Sequence, residues 1–129
     1  MHLWFDKEAK SAAKFYTSIF KNSKIKSQST LQDSPSGPVD MVTIDLLDQE
    51  FTLISAGPLF KFNPSISFLV ARETKDEINT LWEKLSLEGE ILMELGEYPF
   101  SEKYGWIRDK FGVSWQIMYT TRKIQQFIT

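Results

Sequence analysis

The chain has 129 residues, 42% hydrophobic and 25% charged, with a formal net charge of −2, the make-up of one ordinary globular domain able to bury a core. So small a charge gives no electrostatic grounds for nucleic acid or an anionic membrane surface as partner, and the short apolar runs are far from a membrane span. The absence of cysteine excludes disulfides, thiol catalysis and zinc–thiolate sites, and fits a cytoplasmic location.

The opening MHLWFDKEAK has no apolar leader core, so no signal peptide is expected. Residues 2–6 read as a short strand. Over residues 7–20, Ala9, Ala12, Ala13, Phe15, Tyr16, Ile19 and Phe20 recur near helical spacing, with Asp6 as N-cap. Residues 23–30 alternate weakly, as an exposed strand, and 33–38 (DSPSGP) read as a loop. Residues 39–46 and 51–55 form a hairpin around 47–50. Residues 56–64 (AGPLFKFNP) are a connection with apolar anchors. Residues 65–71 read as a strand. A second helix starts at Thr74 or Asp76 and stops at Gly89, with Ile78, Leu81, Trp82 and Leu85 as its buried stripe. Residues 90–95 are a strand and 96–104 a loop; a hairpin of 105–109 and 113–119 follows, turning through Asp109 and a positive-φ Gly112. The tail, 120–129, is amphipathic.

This order is strand–helix–strand–strand–strand, twice. Asp45 falls on Asp109, Phe51 on Trp115, Thr52 on Gln116 and Leu53 on Ile117, each 64 residues apart. Leu3-Trp4-Phe5 matches Phe68-Leu69-Val70 with a slightly drifting period. Two copies suggest a duplicated unit rather than a solenoid, which needs at least three. The fold class is α+β: one domain, 1–129, with modules of about 1–60 and 61–129.

Alternation assigns faces to the strands. Leu3, Phe5, Val42, Ile44, Phe51, Leu53, Ile66, Phe68, Val70, Ile107, Val113, Trp115 and Ile117 turn to the helices. The second face receives His2, Trp4, Met41, Thr43, Asp45, Thr52, Ile54, Ser65, Ser67, Leu69, Trp106, Arg108, Ser114, Gln116 and Met118, and of these, with Tyr104, the ligand candidates are Trp4, Thr43, Thr52, Ser65, Ser67, Trp106, Arg108, Ser114 and Gln116. A solvated face would carry many Lys and Glu. This mixture suits a concave ligand pocket, or else a half-buried sheet face or dimer interface. Arg108 has two readings: a bidentate grip on a carboxylate or phosphate, or stacking and pairing at the rim. Trp4, Tyr104 and Trp106 either wall a ligand or fill a core. His2 is either a general base or a terminal residue without a role.

The stretches LWF…AAKFYTSIF (3–20), FNPSISFLV (62–70) and GWIRDKFGVSWQI (105–117) resemble the vicinal oxygen chelate superfamily, which includes glyoxalase I, ring-cleaving dioxygenases and bleomycin-resistance proteins. Within it the chain resembles the PhnB-like branch, described as 3-demethylubiquinone-9 3-methyltransferase-like. The resemblance implies a curled, cup-shaped mixed sheet with helices on its convex side, two modules enclosing the site, and a homodimer. It also implies metal-ligand positions at His2, Thr52, Ser65 and Gln116. Carboxylates usually stand where Thr52 and Gln116 are, and a His commonly where Ser65 is. Hydroxyls and amides are weak ligands for catalytic metals; His2 and Gln116 are the remaining weak candidates. No glycine-rich strand-to-helix loop for a nucleoside cofactor is present, so no cofactor is expected.

The expected function is therefore a metal-free protein that binds a small molecule. The alternatives are a divalent-metal-dependent lyase, isomerase or dioxygenase with an atypical site, and a dimer whose cup is filled by its own side chains. Phe60, Phe62, Phe100 and the tail residues Ile124, Phe127 and Ile128 are apolar candidates for a dimer interface.

Overall fold

A computed structural model describes residues 1–35 and 37–121. The chain divides into two compact units, Met1–Lys61 and Phe62–Thr129, each a four-stranded mixed sheet with one helix. The expected α+β class with two βαβββ modules is what forms.

In the first unit the elements are β1 (His2–Phe5), α1 (Ala9–Ile19), β2 (Lys24–Ser34), β3 (Gly37–Leu46) and β4 (Gln49–Ser55). The sheet order is β1-β4-β3-β2, with β1 parallel to β4 and the other pairs antiparallel. Helix α1 lays Ala9, Ala12, Ala13, Tyr16 and Ile19 inward. The helix packs on β3 and β4, where Val42, Ile44, Phe51 and Leu53 are buried, as are Leu3 and Phe5 on β1. Three alanines in this stripe let the helix approach the sheet closely, and Tyr16 fills the remaining space.

Two details differ from the sequence expectations. Asp6 does not cap α1: the N-cap is Glu8, without a side-chain cap bond, and Ala9 N–H donates to Ser55 Oγ at 3.0 Å. A residue distant in sequence does the capping, which local spacing cannot reveal. The stretch 33–38 is not a long loop either. Strand β2 runs through Ser34 and β3 begins at Gly37, because the β2–β3 ladder continues to the pair Ser34–Gly37 after a register shift. The β3–β4 turn is tight, with both Leu47 (φ 53) and Asp48 (φ 61) in the left-handed region, as a two-residue hairpin turn of the right twist demands.

The second unit repeats the plan with β5 (Ser67–Arg72), α2 (Lys75–Ser86), β6 (Glu90–Tyr98), β7 (Ser101–Arg108) and β8 (Ser114–Tyr119), in sheet order β5-β8-β7-β6. Here capping is local. Thr74 accepts from Glu77 N–H at 3.2 Å, and Ile78, Leu81 and Leu85 are buried. The helix stop is Glu88, at φ 60, rather than Gly89. Residues 96–104 are not a loop: β6 and β7 meet across Tyr98–Ser101, and bulges along β6 hide its alternation. Gly105 lies beneath α2, where a Cβ would collide with the ring of Trp82. Ile66 does not join the core. It precedes β5 and is 75% exposed, while Phe68 packs on Trp115 with ring centroids 5.0 Å apart.

The β7–β8 turn is closed by a buried carboxylate. Asp109 Oδ1 accepts from Phe111 N–H (2.8 Å) and Val113 N–H (3.1 Å), and Oδ2 accepts from Trp115 Nε1 (2.8 Å). Gly112, at φ 90, supplies the positive φ expected of it.

Candidate functional site

Two sheet faces lie opposite the helices, one in each unit. In the first unit, cross-strand register builds the row His2–Thr52–Thr43–Ser27 and, beside it, Trp4–Ile54–Met41–Ser29. Thr43 and Thr52 are half-buried and His2 is exposed. Trp4 is held on its own unit: its indole N–H donates to Gly57 O at 2.9 Å, and its ring meets Phe60 edge-on at 5.0 Å. At the hairpin end of this face, Lys26 bridges Glu50 (2.7 Å) and Asp45 (3.9 Å). Hydrogen bonding and charge raise the Lys26 pKa and lower that of Glu50.

In the second unit three rows form: Glu90–Arg108–Ser114–Ser67, Met93–Trp106–Gln116–Leu69 and Gly96–Tyr104–Met118–Ala71. The polar groups on them are bonded to one another. Trp106 Nε1 donates to Ser114 Oγ at 2.7 Å, and Ser114 Oγ lies 2.6 Å from Ser67 Oγ. Tyr104 OH donates to Gln116 Oε1 at 2.6 Å. Burial, then the neighbouring Tyr98, raises the Tyr104 pKa, so the phenol stays a donor. Arg108 is clamped by carbonyls: Nε donates to Gly112 O (3.2 Å) and Nη2 to Phe62 O (2.7 Å).

The structure thus brings together Ser67, Tyr104, Trp106, Arg108, Ser114 and Gln116 on one face, and Trp4, Thr43 and Thr52 on another. Ser65 joins neither. It lies before β5, exposed, with its N–H donating to Asn63 Oδ1 at 2.8 Å. The residue in register with Gln116 is Leu69, as His2 is with Thr52. The first strands therefore repeat as Leu3 with Val70, two residues off the sequence match of Leu3 with Phe68. Ser114 is buried rather than open, because Trp106 and Ser67 both reach its hydroxyl. Sequence reasoning left Met93, Leu69 and Met118 out of the site. Leu69 and Met118 were legible from strand parity, but the β6 bulges conceal Met93.

The residues at these positions do not fit a divalent metal. Across from His2 stands a hydroxyl, across from Leu69 an amide whose oxygen Tyr104 already occupies, and neither row offers a carboxylate. Among the described residues no group of three or more His, Cys, Asp or Glu side chains could hold a metal ion. Neither strand-to-helix connection, Asp6-Lys7-Glu8 or Glu73-Thr74, contains the glycines of a nucleoside-binding turn. A separate hollow of about 430 Å³ opens at the start of β7, lined by Phe100, Ser101, Glu102 and residues 118–121. It touches this face only through Met118, so the polar cluster, and not the hollow, defines the candidate site.

The family model described as 3-demethylubiquinone-9 3-methyltransferase matches residues 1–118. Among solved structures, a putative 3-demethylubiquinone-9 3-methyltransferase, PhnB protein, from Bacillus cereus is 41% identical. It covers 93% of this chain and 97% of its own, with a TM-score of 0.85. A protein from Pseudomonas aeruginosa is 19% identical over 92% of this chain and 93% of its own, at TM-score 0.78. The fosfomycin resistance protein FosX from Listeria monocytogenes, in complex with Mn(II) and a dihydroxypropylphosphonic acid, is 13% identical over 100% of this chain and 94% of its own, at TM-score 0.68. The last two share the fold alone. No functionally curated protein matches the chain.

Proposed function

The chain belongs to the PhnB-like 3-demethylubiquinone-9 3-methyltransferase family of the glyoxalase superfamily, and from that premise we propose that it binds a small molecule on the second face of its sheets without a resident metal. The observation that carries this reading is the central row of the second unit. Met93, Trp106, Gln116 and Leu69 give an apolar bed with one amide in its middle, the lining of a small-molecule site. The candidate contacts are Ser67, Tyr104, Trp106, Arg108, Ser114 and Gln116 there, with Trp4, Thr43 and Thr52 on the equivalent face of the first unit. Ser65, exposed ahead of β5, is the peripheral member of the set.

The reading includes a homodimer. Leu59, Phe60, Ile66 and Phe100 are each at least 60% exposed, and exposed apolar patches often mark interfaces; Phe62 is only half-buried, and Ile124, Phe127 and Ile128 lie outside the described residues. It also includes a cytoplasmic location, supported by the cysteine-free sequence. Among the described residues no helix is long and apolar enough to cross a membrane.

Metal analysis of the purified protein by mass spectrometry, with a divalent-metal thermal-shift screen, tests the metal-free assignment. Substoichiometric metal and no shift are expected. Stoichiometric zinc, nickel, iron or manganese, lost on Gln116→Ala or His2→Ala, would overturn it in favour of a metal-dependent lyase, isomerase or dioxygenase. Light scattering should give twice the chain mass; a persistent monomer removes the dimer.

A further inference from the structure

We infer that the second face of the β5–β8 sheet selects a neutral molecule that presents a carbonyl-type oxygen to Gln116 Nε2, with Leu69, Met93 and Trp106 as its apolar bed. This rests on the small-molecule reading above and adds the chemical class of the ligand.

The argument is an inventory of donors and acceptors. Gln116 has one acceptor oxygen and two N–H donors. Its oxygen is occupied, because Tyr104 OH donates to it at 2.6 Å. A phenol is a better donor than acceptor, and among the described residues no other acceptor is bonded to Tyr104, so this pairing orients the amide. The Nε2 donors are left for a partner on the central row, where Leu69 is 58% exposed and Trp106 and Gln116 are half-buried. Ser114 Oγ is likewise engaged: it accepts from Trp106 Nε1 at 2.7 Å and shares a 2.6 Å bond with Ser67. Trp106 is donor only, so Ser114 accepts from it, and the Ser114–Ser67 bond keeps both hydroxyls engaged with each other. The central row therefore offers the Gln116 amide N–H groups as its donors. A ligand that covers this half-buried amide must bring the acceptor, since a donor left unmatched once it is covered is costly.

Charge narrows the class. The central row carries no carboxylate to hold a cation and no imidazole or carboxylate to hold a metal. The cation of the neighbouring row, Arg108, already serves two carbonyls, Gly112 O and Phe62 O. Glu90 stands in register beside it and disfavours an anion at that border. A neutral acceptor on an apolar body is what remains.

The test uses three probes of one shape and different charge: acetophenone, benzoate and benzylamine. Each is titrated into the full chain and followed through the Gln116 side-chain amide and Trp106 indole resonances. Acetophenone should move both, with benzoate and benzylamine weaker. Gln116→Glu keeps an oxygen for Tyr104 but removes the donors, and should weaken acetophenone roughly tenfold or more. Gln116→Met, which is uncharged, should do the same if the glutamate variant misfolds. Stronger binding of benzoate or benzylamine at these resonances, or acetophenone binding unchanged in both variants, overturns the donor assignment while the small-molecule reading stands. If no probe moves these resonances at millimolar concentration, both fall.

Discussion

The two hairpin ends of the molecule have the same place in the repeat and opposite physics. Asp45 and Asp109 are 64 residues apart in matched positions. Asp109 is 4% exposed and closes its turn with two backbone N–H groups and an indole. Asp45 is half-exposed, 3.9 Å from Lys26 on the surface, and its turn is made by backbone torsion at Leu47 and Asp48. The two units share one strand order, while the matched acid is a surface charge in the first and a buried anchor in the second. The second copy is also where the polar residues of the candidate site bond to one another, so the anchor sits at the end of the hairpin that carries the site.

The largest expected effect is at Trp115. Trp115→Ala should cost about 3–5 kcal/mol, the usual result of truncating a large core aromatic. Phe51→Ala, its counterpart, should cost less, because Phe51 has no polar tip while Trp115 also donates to Asp109. Urea denaturation of the pair measures this, and equal values would show that the indole bond adds nothing. Next is the anchor. Asp109→Ala leaves three donors without their acceptor and should cost about 3 kcal/mol at roughly 1 each. Asp45→Ala should stay within about 1 kcal/mol, as surface ion pairs do. Similar losses in the two would erase the contrast between the turns.

Gly105→Ala forces a methyl into the Trp82 ring and should cost about 1–3 kcal/mol, the range for overpacking; a neutral result would mean that α2 can lift off its sheet. The helices sharpen the comparison on a smaller scale. Ser55→Ala and Thr74→Ala should each cost about 1 kcal/mol as losses of caps, while Glu8→Ala, at the formal N-cap of α1, should change little. Thermal unfolding separates these outcomes, and a costly Glu8→Ala would reject the long-range cap.

The smallest effect concerns Tyr104. Its folded-state pKa is raised by burial, so the folded protein keeps a proton that the unfolded chain releases. Its contribution is present below the ordinary tyrosine value of about 10 and is lost as pH rises through the raised value. Absorbance titration of the wild-type chain and of Tyr104→Phe should differ by one late-ionising tyrosine, and identical late steps would remove the assignment.

Much of this was legible in the sequence, for a definite reason. Helix stripes such as Ile78, Leu81 and Leu85, and alternating runs such as Val113, Trp115 and Ile117, report burial through local periods of 3.6 and 2 residues. They gave both modules and nearly every core residue. The same parity brought Trp106 and Gln116 to one face. It failed where period and position part company: at β6, whose bulges shift its register against β7, and at Ile66 and Ser65, which lie ahead of the strand to which parity assigned them.

By itself, then, the sequence determined the two modules, their helices, their inward faces and the poverty of metal ligands, since each is a property of residue type and near-neighbour spacing. Tertiary structure alone decided that Leu69 and not Ser65 stands across from Gln116, that Ser55 caps α1, and that Tyr104 occupies the oxygen of Gln116. Those are pairings between strands and helices distant along the chain. They depend on sheet register, and a register is set by the whole ladder of hydrogen bonds and packed side chains, not by any one segment.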